Sequence, residues 1–401
     1  MTGMSELEQV ELLTGPGAVE LLAKALGTEG SQIVSWKVDA LHHRPAAGVS
    51  AGYQVTVKGA GGSVSEQYVC ATTARLTRKD TPGLVRLDHA EGLITVHVWR
   101  HPHDPELPAL PAACDPVEMS QLIGHQVSAS MVAYRPTRRC VVRLDDAKGP
   151  AAFVKVVRPK IVADLVGRHE MLAAAGIPAP RVIAQDPAGL VMLSRAAGSP
   201  MANFLAAGLP DPDATFDAVV GVLRSLPPVL MNLPRHPAWS DRVEYYAHAA
   251  ATALPERGAD ATAIARQVEV MKANSNPGPL APTHGDYYEA NIFMHGPAQV
   301  ASILDVDSVG PGHQVDDVAC LLGHVSVLPH LAPAIYPHVP GMLDRWWNLA
   351  TQWYDPRALA ARAAAVTLSL VAGAKRTEGQ SWRVDAEGRL DQAAAWLARV
   401  R

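Results

Sequence analysis

The spacing of apolar residues changes once along this chain, and that change restricts the fold more than any other feature. Up to about residue 194 the two-residue alternation of strands dominates. The segments 33–38, 53–57, 68–71 and 94–99 predict strands of one antiparallel sheet, Ile94-Thr95-Val96-His97-Val98-Trp99 being typical. Strands are expected again over 125–134, 139–145, 151–157, 181–185 and 190–194, with one helix over 161–175 that stops at Gly176 with Pro178 beyond it. From about residue 200 the spacing becomes helical, apart from short strands near 292–294 and 299–306, and long Ala-rich helices follow residue 334. Two short helices broken at Gly15-Pro16-Gly17 are expected over 7–26. Sheets first and helices afterwards make an α+β arrangement.

With 401 residues the chain exceeds one core, and its punctuation suggests where it divides. A proline-dense stretch runs from His101 to Pro111, and Asp115-Pro116 then reads as a helix cap followed by proline at the first helical position. The expected domains are 1–110, 115–198 and 199–401. A weak internal echo links the first two. His43-Arg44-Pro45, Tyr53-Gln54-Val55 and Tyr68-Val69-Cys70 resemble Tyr134-Arg135-Pro136, Cys140-Val141-Val142 and Phe153-Val154-Lys155. In this echo Cys70 stands where the second copy has Lys155.

Composition removes several classes of function. Thirty-five basic against 39 acidic side chains give a net charge of −4, which argues against a nucleic-acid partner, since phosphate neutralisation needs a basic surface. At 48% hydrophobic and 18% charged, the chain can bury large cores and is not of the disordered class. No apolar run of the roughly 18 residues that cross a bilayer stands out, so no membrane partner is expected. Cys70, Cys114, Cys140 and Cys320 are scattered without CxxC spacing, which fits a reducing, cytoplasmic setting. The composition gives no indication of oligomeric state.

One segment concentrates polar chemistry: Thr283-His284-Gly285-Asp286-Tyr287-Tyr288-Glu289-Ala290-Asn291-Ile292, followed by Ala301-Ser302-Ile303-Leu304-Asp305-Val306-Asp307. Asp286 and Asn291 lie five apart on a loop between helix and strand, so both side chains can face one cavity. Asp305 ends an apolar strand and would aim its carboxylate into the same space. An amide and two carboxylates converging there suit a hard divalent cation such as Mg²⁺ together with phosphate oxygens. A carboxylate not bound to metal could then orient or deprotonate a hydroxyl. Upstream, Lys155 is a single lysine inside the apolar strand Ala152-Phe153-Val154-Lys155-Val156-Val157. It either pairs with an anion or turns out to water.

The H-G-D-x-x-x-x-N segment and the strand ending in D-x-D resemble the catalytic signature of the aminoglycoside phosphotransferase family. The likeness continues through Gly310-Pro311-Gly312 and Asp316-Asp317-Val318-Ala319. The resemblance implies a bilobal protein-kinase-like fold, here with an additional N-terminal α/β cap-like domain. It implies Mg²⁺-dependent transfer of the γ-phosphoryl group of ATP to a hydroxyl of a small molecule. On it, Asp286 would be the catalytic base, Asn291 and Asp305 would hold Mg²⁺ with Asp307 as a further metal candidate, and His284 and Asp317 would brace the loop. Lys155 would hold the nucleotide phosphates, fixed by Glu170 facing the sheet from the following helix, with Asp164 as the rival partner. The backbone around Ser194 and Ala196 would take the adenine. No residue here selects ATP over GTP. The leading domain is reminiscent of maltokinase and glucosamine kinase relatives, which turns the expected acceptor towards a sugar, amino sugar or aminoglycoside.

One departure stands out. The first hairpin of the nucleotide lobe has no glycine loop; its turn is Arg135-Pro136-Thr137-Arg138-Arg139, where Arg138 either helps neutralise phosphate or belongs to a solvated basic turn. Tyr287 and Glu289 inside the signature, and Trp382 in a polar segment at 378–385 expected to interrupt the last helices, are acceptor candidates. Two other functions share these motifs. One is a non-catalytic nucleotide- or ligand-binding protein of the same fold, against which the retained Lys155, Asp286, Asn291 and Asp305 argue. The other is a protein kinase, against which the short span from Asp305 to the helix near Gln314 argues.

Overall fold

The computed structural model describes residues 4–27, 32–44, 47–59, 61–89, 93–376 and 381–400. The chain divides into two units, one of residues 1–166 with 182–195 and the other of 167–181 with 196–401. Sheet dominates the first and helix the second, the α+β order that the sequence predicts.

In the first unit, helices Glu6–Thr14 and Ala18–Gly27 precede a five-stranded antiparallel sheet. Its order is Gln32–Arg44, Gly48–Lys58, Val64–Thr72, Ile94–Arg100, Val85–His89. The first helix starts at Ser5, whose hydroxyl and backbone amide exchange hydrogen bonds with Glu8 in a capping box. The edge strand Val85–His89 is absent from the sequence reading, because only alternate residues are covered and Arg86 and Asp88 face water. The second sheet runs Ser128–Arg135, Arg139–Asp146, Gly149–Val157, Leu190–Ser194, Val182–Asp186. Both sheets thus have the same order: first, second, third, fifth, fourth. The weak sequence echo coincides with a repeated topology, in which Cys70 and Lys155 both lie on the central third strand.

The proline-dense connector is packed tightly. Leu107 and Leu110 are fully buried, and with Cys70 and Trp99 of the first sheet and Val142, Val154 and Met192 of the second they form one apolar cluster. Helix Val162–Ala174 follows the third strand, its first residues belonging to the first unit and the remainder to the second.

The second unit is built on Pro212–Arg224, Val243–Ala253, Gly258–Ala273, Gln314–Leu331, Val339–Ala350, Pro356–Val371 and Ser381–Ala398. Alanine and glycine let these helices approach closely. A Cβ on Gly323 would lie 2.8 Å from a Val366 methyl, so the crossing of Gln314–Leu331 with Pro356–Val371 requires glycine there. Contrary to the sequence reading, one stretch, Pro356–Ala374, is long and apolar enough by composition to cross a membrane, but 72% of it is buried within the protein. A core helix surrounded by other helices shows the same apolar character on all sides. Ser381–Ala398 also corrects the expected interruption at 378–385. From Ser381 onward the chain is helical, while Glu378, Gly379 and Gln380 lie outside the described residues.

Candidate active site

Two small pairings place the signature loop within the second unit. Strand Ala281–Thr283 pairs with Gly310–Gly312, and the chain then enters His284-Gly285-Asp286. Gly285 has φ +84°, and a Cβ there would lie 2.9 Å from Cβ and 3.0 Å from the carbonyl oxygen of Ser308, so only glycine fits. The loop is anchored by Asp317 near the start of helix Gln314–Leu331. Its two carboxylate oxygens accept the amides of His284 (2.7 Å) and Gly285 (2.8 Å), with Asp317 itself only 1% exposed. Burial raises the Asp317 carboxyl to about 7, against the pull of those two amide donors.

His284 is completely buried and its partners fix its tautomer. The amide of Asp286 donates to Nδ1 at 3.3 Å, so the ring proton sits on Nε2 and is donated to the Leu304 carbonyl at 2.9 Å. The imidazole therefore ties the loop to the end of strand Gln299–Ile303.

Asn291 and Asp305 are brought together by a hairpin. Ile292–Gly296 pairs with Gln299–Ile303 with Ile292 opposite Ile303, and the Leu304 amide donates to the Asn291 carbonyl at 2.8 Å. Positions fourteen residues apart thus flank the same hairpin end. Asp305 itself is left-handed (φ 55°, ψ 48°), a conformation that aspartate tolerates better than most residues. The Asn291 side chain donates Nδ2 to the Asp286 carbonyl at 2.9 Å, with Asp286 Oδ2 3.5 Å away. That orientation commits the amide nitrogen to the protein and leaves the amide oxygen for a cation. The carboxylates of Asp286, Glu289 and Asp305 all act on Tyr288, whose hydroxyl is pushed above its ordinary value by burial first and by these charges next. Asp286, Asn291 and Asp305 accordingly share one neighbourhood; Asp307 lies just beyond, in the 3-10 turn Val306–Ser308.

Glu289 is 7% exposed, and its Oε2 has no hydrogen-bond partner among the described residues. Burial, with a smaller contribution from Asp286, raises its carboxyl from 4.5 to about 7. Between those two values the folded state binds more protons than the unfolded one, so stability falls as pH rises. Above pH ~7 the buried charge costs about 3 kcal/mol. Glu289→Gln is therefore expected to be more stable than the parent protein at pH 8 and equal to it near pH 4. Denaturant unfolding at the two pH values checks this, and a pH-independent difference would contradict it.

Other candidates are placed less favourably. Tyr287 is fully buried, its hydroxyl donating to the Val219 carbonyl at 2.8 Å and its ring 5.3 Å from that of His284. It holds the loop against helix Pro212–Arg224, and the expectation that it touches substrate is corrected. Glu170 is exposed instead of facing the sheet. The buried stripe of its helix runs through Val162, Leu165, Val166, His169 and Leu172, and the helical repeat puts Glu170 on the rim of that stripe. Trp382 is half-buried in the first turn of Ser381–Ala398 and packs on the helical core, which differs from the loop expected for it.

In the first unit, Lys155 is half-buried on the central strand Gly149–Val157. Ala152, Val154 and Val156 point into the apolar cluster; Lys155 is on the other face, directly opposite Val191. Val191 is covered by Val162, Leu165 and Val166 of the following helix, so this face is not a bare sheet surface. Arg138 is exposed at the hairpin tip. The chain leaves the first unit between Arg195 and Ala196, with Ser194 ending the last strand on one side of that point.

Two partners beside the loop carry no sequence motif. His324 stacks on Tyr288 with ring centroids 4.1 Å apart, and burial lowers its imidazole to about 4, keeping it neutral. Arg362 donates to Asp316 at 2.7 Å, fixing the start of the helix that carries Asp317. Both lie in helical stretches, past the Asp316-Asp317 start of the first and on Pro356–Val371, where the sequence signal is apolar spacing alone.

No curated protein matches the chain in sequence. Among solved structures, an aminoglycoside phosphotransferase in a thermostable mutant form is 13% identical with TM-score 0.48, over 70% of this chain and 98% of that one. A choline/ethanolamine kinase family protein from Mesorhizobium loti is 17% identical with TM-score 0.45, over 71% and 92%. A fructosamine-3-kinase from Thermobifida fusca, itself described as putative, is 18% identical with TM-score 0.37, over 71% and 98%. Residues 138–361, more than half of the sequence and including the whole of the loop just described, match the Phosphotransferase enzyme family, and the chain belongs to that family.

Proposed function

We propose that this protein transfers the γ-phosphoryl group of ATP to a hydroxyl of a small molecule, with sugars, amino sugars and aminoglycosides as the acceptor class. Its family is one of kinase-like small-molecule phosphotransferases. The observation that carries the proposal is the anchoring of Asp286. Its loop is held by Asp317, His284 and Tyr287, and the Asn291 amide reaches both the backbone carbonyl and Oδ2 of Asp286, which sets that carboxylate beside the side chain proposed for the metal.

Phosphoryl transfer asks a protein mainly to place its reactants and neutralise charge. Asp286 orients the acceptor hydroxyl and takes its proton. Lys155 is assigned to the nucleotide phosphates, and the backbone about Ser194 and Ala196 to the base. Glu289, buried with an oxygen not committed to the protein, is assigned to the acceptor, where an amino group would satisfy it. Among the described residues no three His, Cys, Asp or Glu side chains form a closed metal cage. The donor set suits Mg²⁺, which binds through one or two carboxylates and completes its shell with phosphate oxygens and water. Asn291 and Asp305, with Asp307 nearby, would hold it, and it would supply charge neutralisation on the phosphates.

Asp305→Asn is expected to raise the Mg²⁺ concentration needed for half-maximal nucleotide binding by about tenfold, since one anionic ligand is lost. An unchanged Mg²⁺ titration would remove Asp305 from the site. The proposal as a whole is tested by an acceptor screen with ATP and Mg²⁺ over sugars, amino sugars and aminoglycosides. Acceptor-dependent ADP release and a phosphorylated product are expected; nucleotide binding without transfer to any of them would favour the non-catalytic alternative.

A further inference from the structure

The tip of the hairpin joining Ser128–Arg135 to Arg139–Asp146 is unusual. In a kinase-type glycine loop the backbone amides are left to the phosphates. Here the tip has no glycine, Thr137 is left-handed (φ 64°), and its residue is only 4% exposed. A hairpin tip is normally among the most solvated parts of a sheet. What covers it comes from the connector. Asp104, 2% exposed, accepts the Thr137 amide at 2.7 Å and the Tyr134 hydroxyl at 2.6 Å on Oδ2, and the Glu106 amide at 2.8 Å on Oδ1. The Tyr134 hydroxyl in turn accepts from Trp99 Nε1 at 3.2 Å, at the end of the first sheet.

A second carboxylate closes the arrangement. Glu106, 4% exposed, accepts the amides of Thr77 and of Arg78, the latter at 3.3 Å, and pairs with Arg158 at 3.6 Å. Arg158 donates Nε to the Thr137 carbonyl at 2.8 Å. Both backbone groups of Thr137 are therefore held, the amide by Asp104 and the carbonyl by Arg158. Every residue in this network belongs to the first unit.

We infer that Asp104 is a positioning residue for the nucleotide hairpin, and that through Asp104 and Glu106 the first sheet and its connector fix a tip that other kinase-type loops leave to glycine and bound phosphate. The inference rests on the proposal that the second sheet holds the nucleotide. It gives the leading sheet a task in the reaction without contact with substrate. Three donors converge on Asp104, and linked hydrogen bonds reinforce one another, so one carboxyl group can hold the turn.

The test uses the full-length protein. In Asp104→Ala, the KM for ATP is expected to rise about tenfold with kcat within about twofold, since the nucleotide must now order a loosened tip. Trypsin cleavage after Arg138 and Arg139 of the nucleotide-free protein should accelerate about tenfold, because cleavage tracks the population of the open loop. Asp104→Asn retains one oxygen for Tyr134 and Thr137 and should fall between. Tyr134→Phe keeps the ring in its packing and removes two links, the bond to Asp104 and the one from Trp99; a shift of about threefold in the same direction is expected, and this variant decides the matter if Asp104→Ala fails to fold. Faster cleavage with an unchanged KM would make Asp104 structural only and overturn the positioning role. Unchanged cleavage and KM in both Asp104→Asn and Tyr134→Phe would overturn the brace itself. Failure of the parent protein to bind or turn over ATP would instead overturn the proposed function, and with it the nucleotide role of Asp104; the cleavage rates would then report the brace alone.

Discussion

Asp286→Ala is expected to lose about 10³-fold in the rate of phosphoryl transfer, the scale of a lost general base, equivalent to about 4 kcal/mol of transition-state stabilisation. The unfolding midpoint should move by no more than a few degrees. The reason lies in what holds the loop. The amides before Asp286 go to Asp317, its own amide goes to the His284 ring, and its backbone carbonyl accepts from Asn291. These bonds are made through the loop backbone, while the carboxylate takes the longer 3.5 Å contact from Asn291 Nδ2, so truncation removes the chemistry and keeps most of the frame. Nucleotide binding, measured by calorimetry in parallel with single-turnover transfer, should survive. A variant that transfers at the parent rate would sink the assignment.

Asp317→Ala is expected to be damaging in a different way. Two amides at 2.7 and 2.8 Å lose their carboxylate acceptor in a place that is 1% exposed. Each unsatisfied buried donor costs about 1–3 kcal/mol, so a loss of about 3–5 kcal/mol is expected for the pair. In a unit of this size that corresponds to a fall of about 10 °C in Tm. Activity at a temperature well below the transition should also fall by about 10²-fold, because the loop that carries Asp286 is displaced. Asp317→Asn keeps one acceptor oxygen and should recover about half of the stability. Differential scanning calorimetry with steady-state kinetics checks both, and an Asp317→Ala protein that melts with its parent would show that the loop is held by something else.

Sequence made the signature legible because Asp286, Asn291 and Asp305 are brought together by local geometry. Asp286 and Asn291 share one loop, and the two-stranded hairpin brings Asp305 back beside Asn291 by register alone. The order of sheets and helices was equally open to reading, since both periodicities are written into the chain. Exposure was harder. Glu170 follows helical spacing but falls on the rim of its stripe, and Tyr287 sits inside a functional signature while performing a packing task. Neither fact follows from neighbours in sequence. Asp104 was hidden for a related reason: its partners Tyr134 and Thr137 are about thirty residues away, across a proline-dense stretch that looks like a linker. The edge strand Val85–His89 escaped because one of its faces is open to water and the apolar signal is halved.

The two sheets of the first unit are wired alike, yet only one has a lysine on its central strand; the other has Cys70, shut away from solvent. Such twinning separates duties that a lone sheet must combine. On the proposal that the sheet with Lys155 holds the nucleotide, that sheet must meet the demands of a ligand, while the sheet with Cys70 answers to its own packing and to the contacts it lends its neighbour. Change on the outer strands Gln32–Arg44 and Val85–His89 is therefore expected to be tolerated without touching the chemistry.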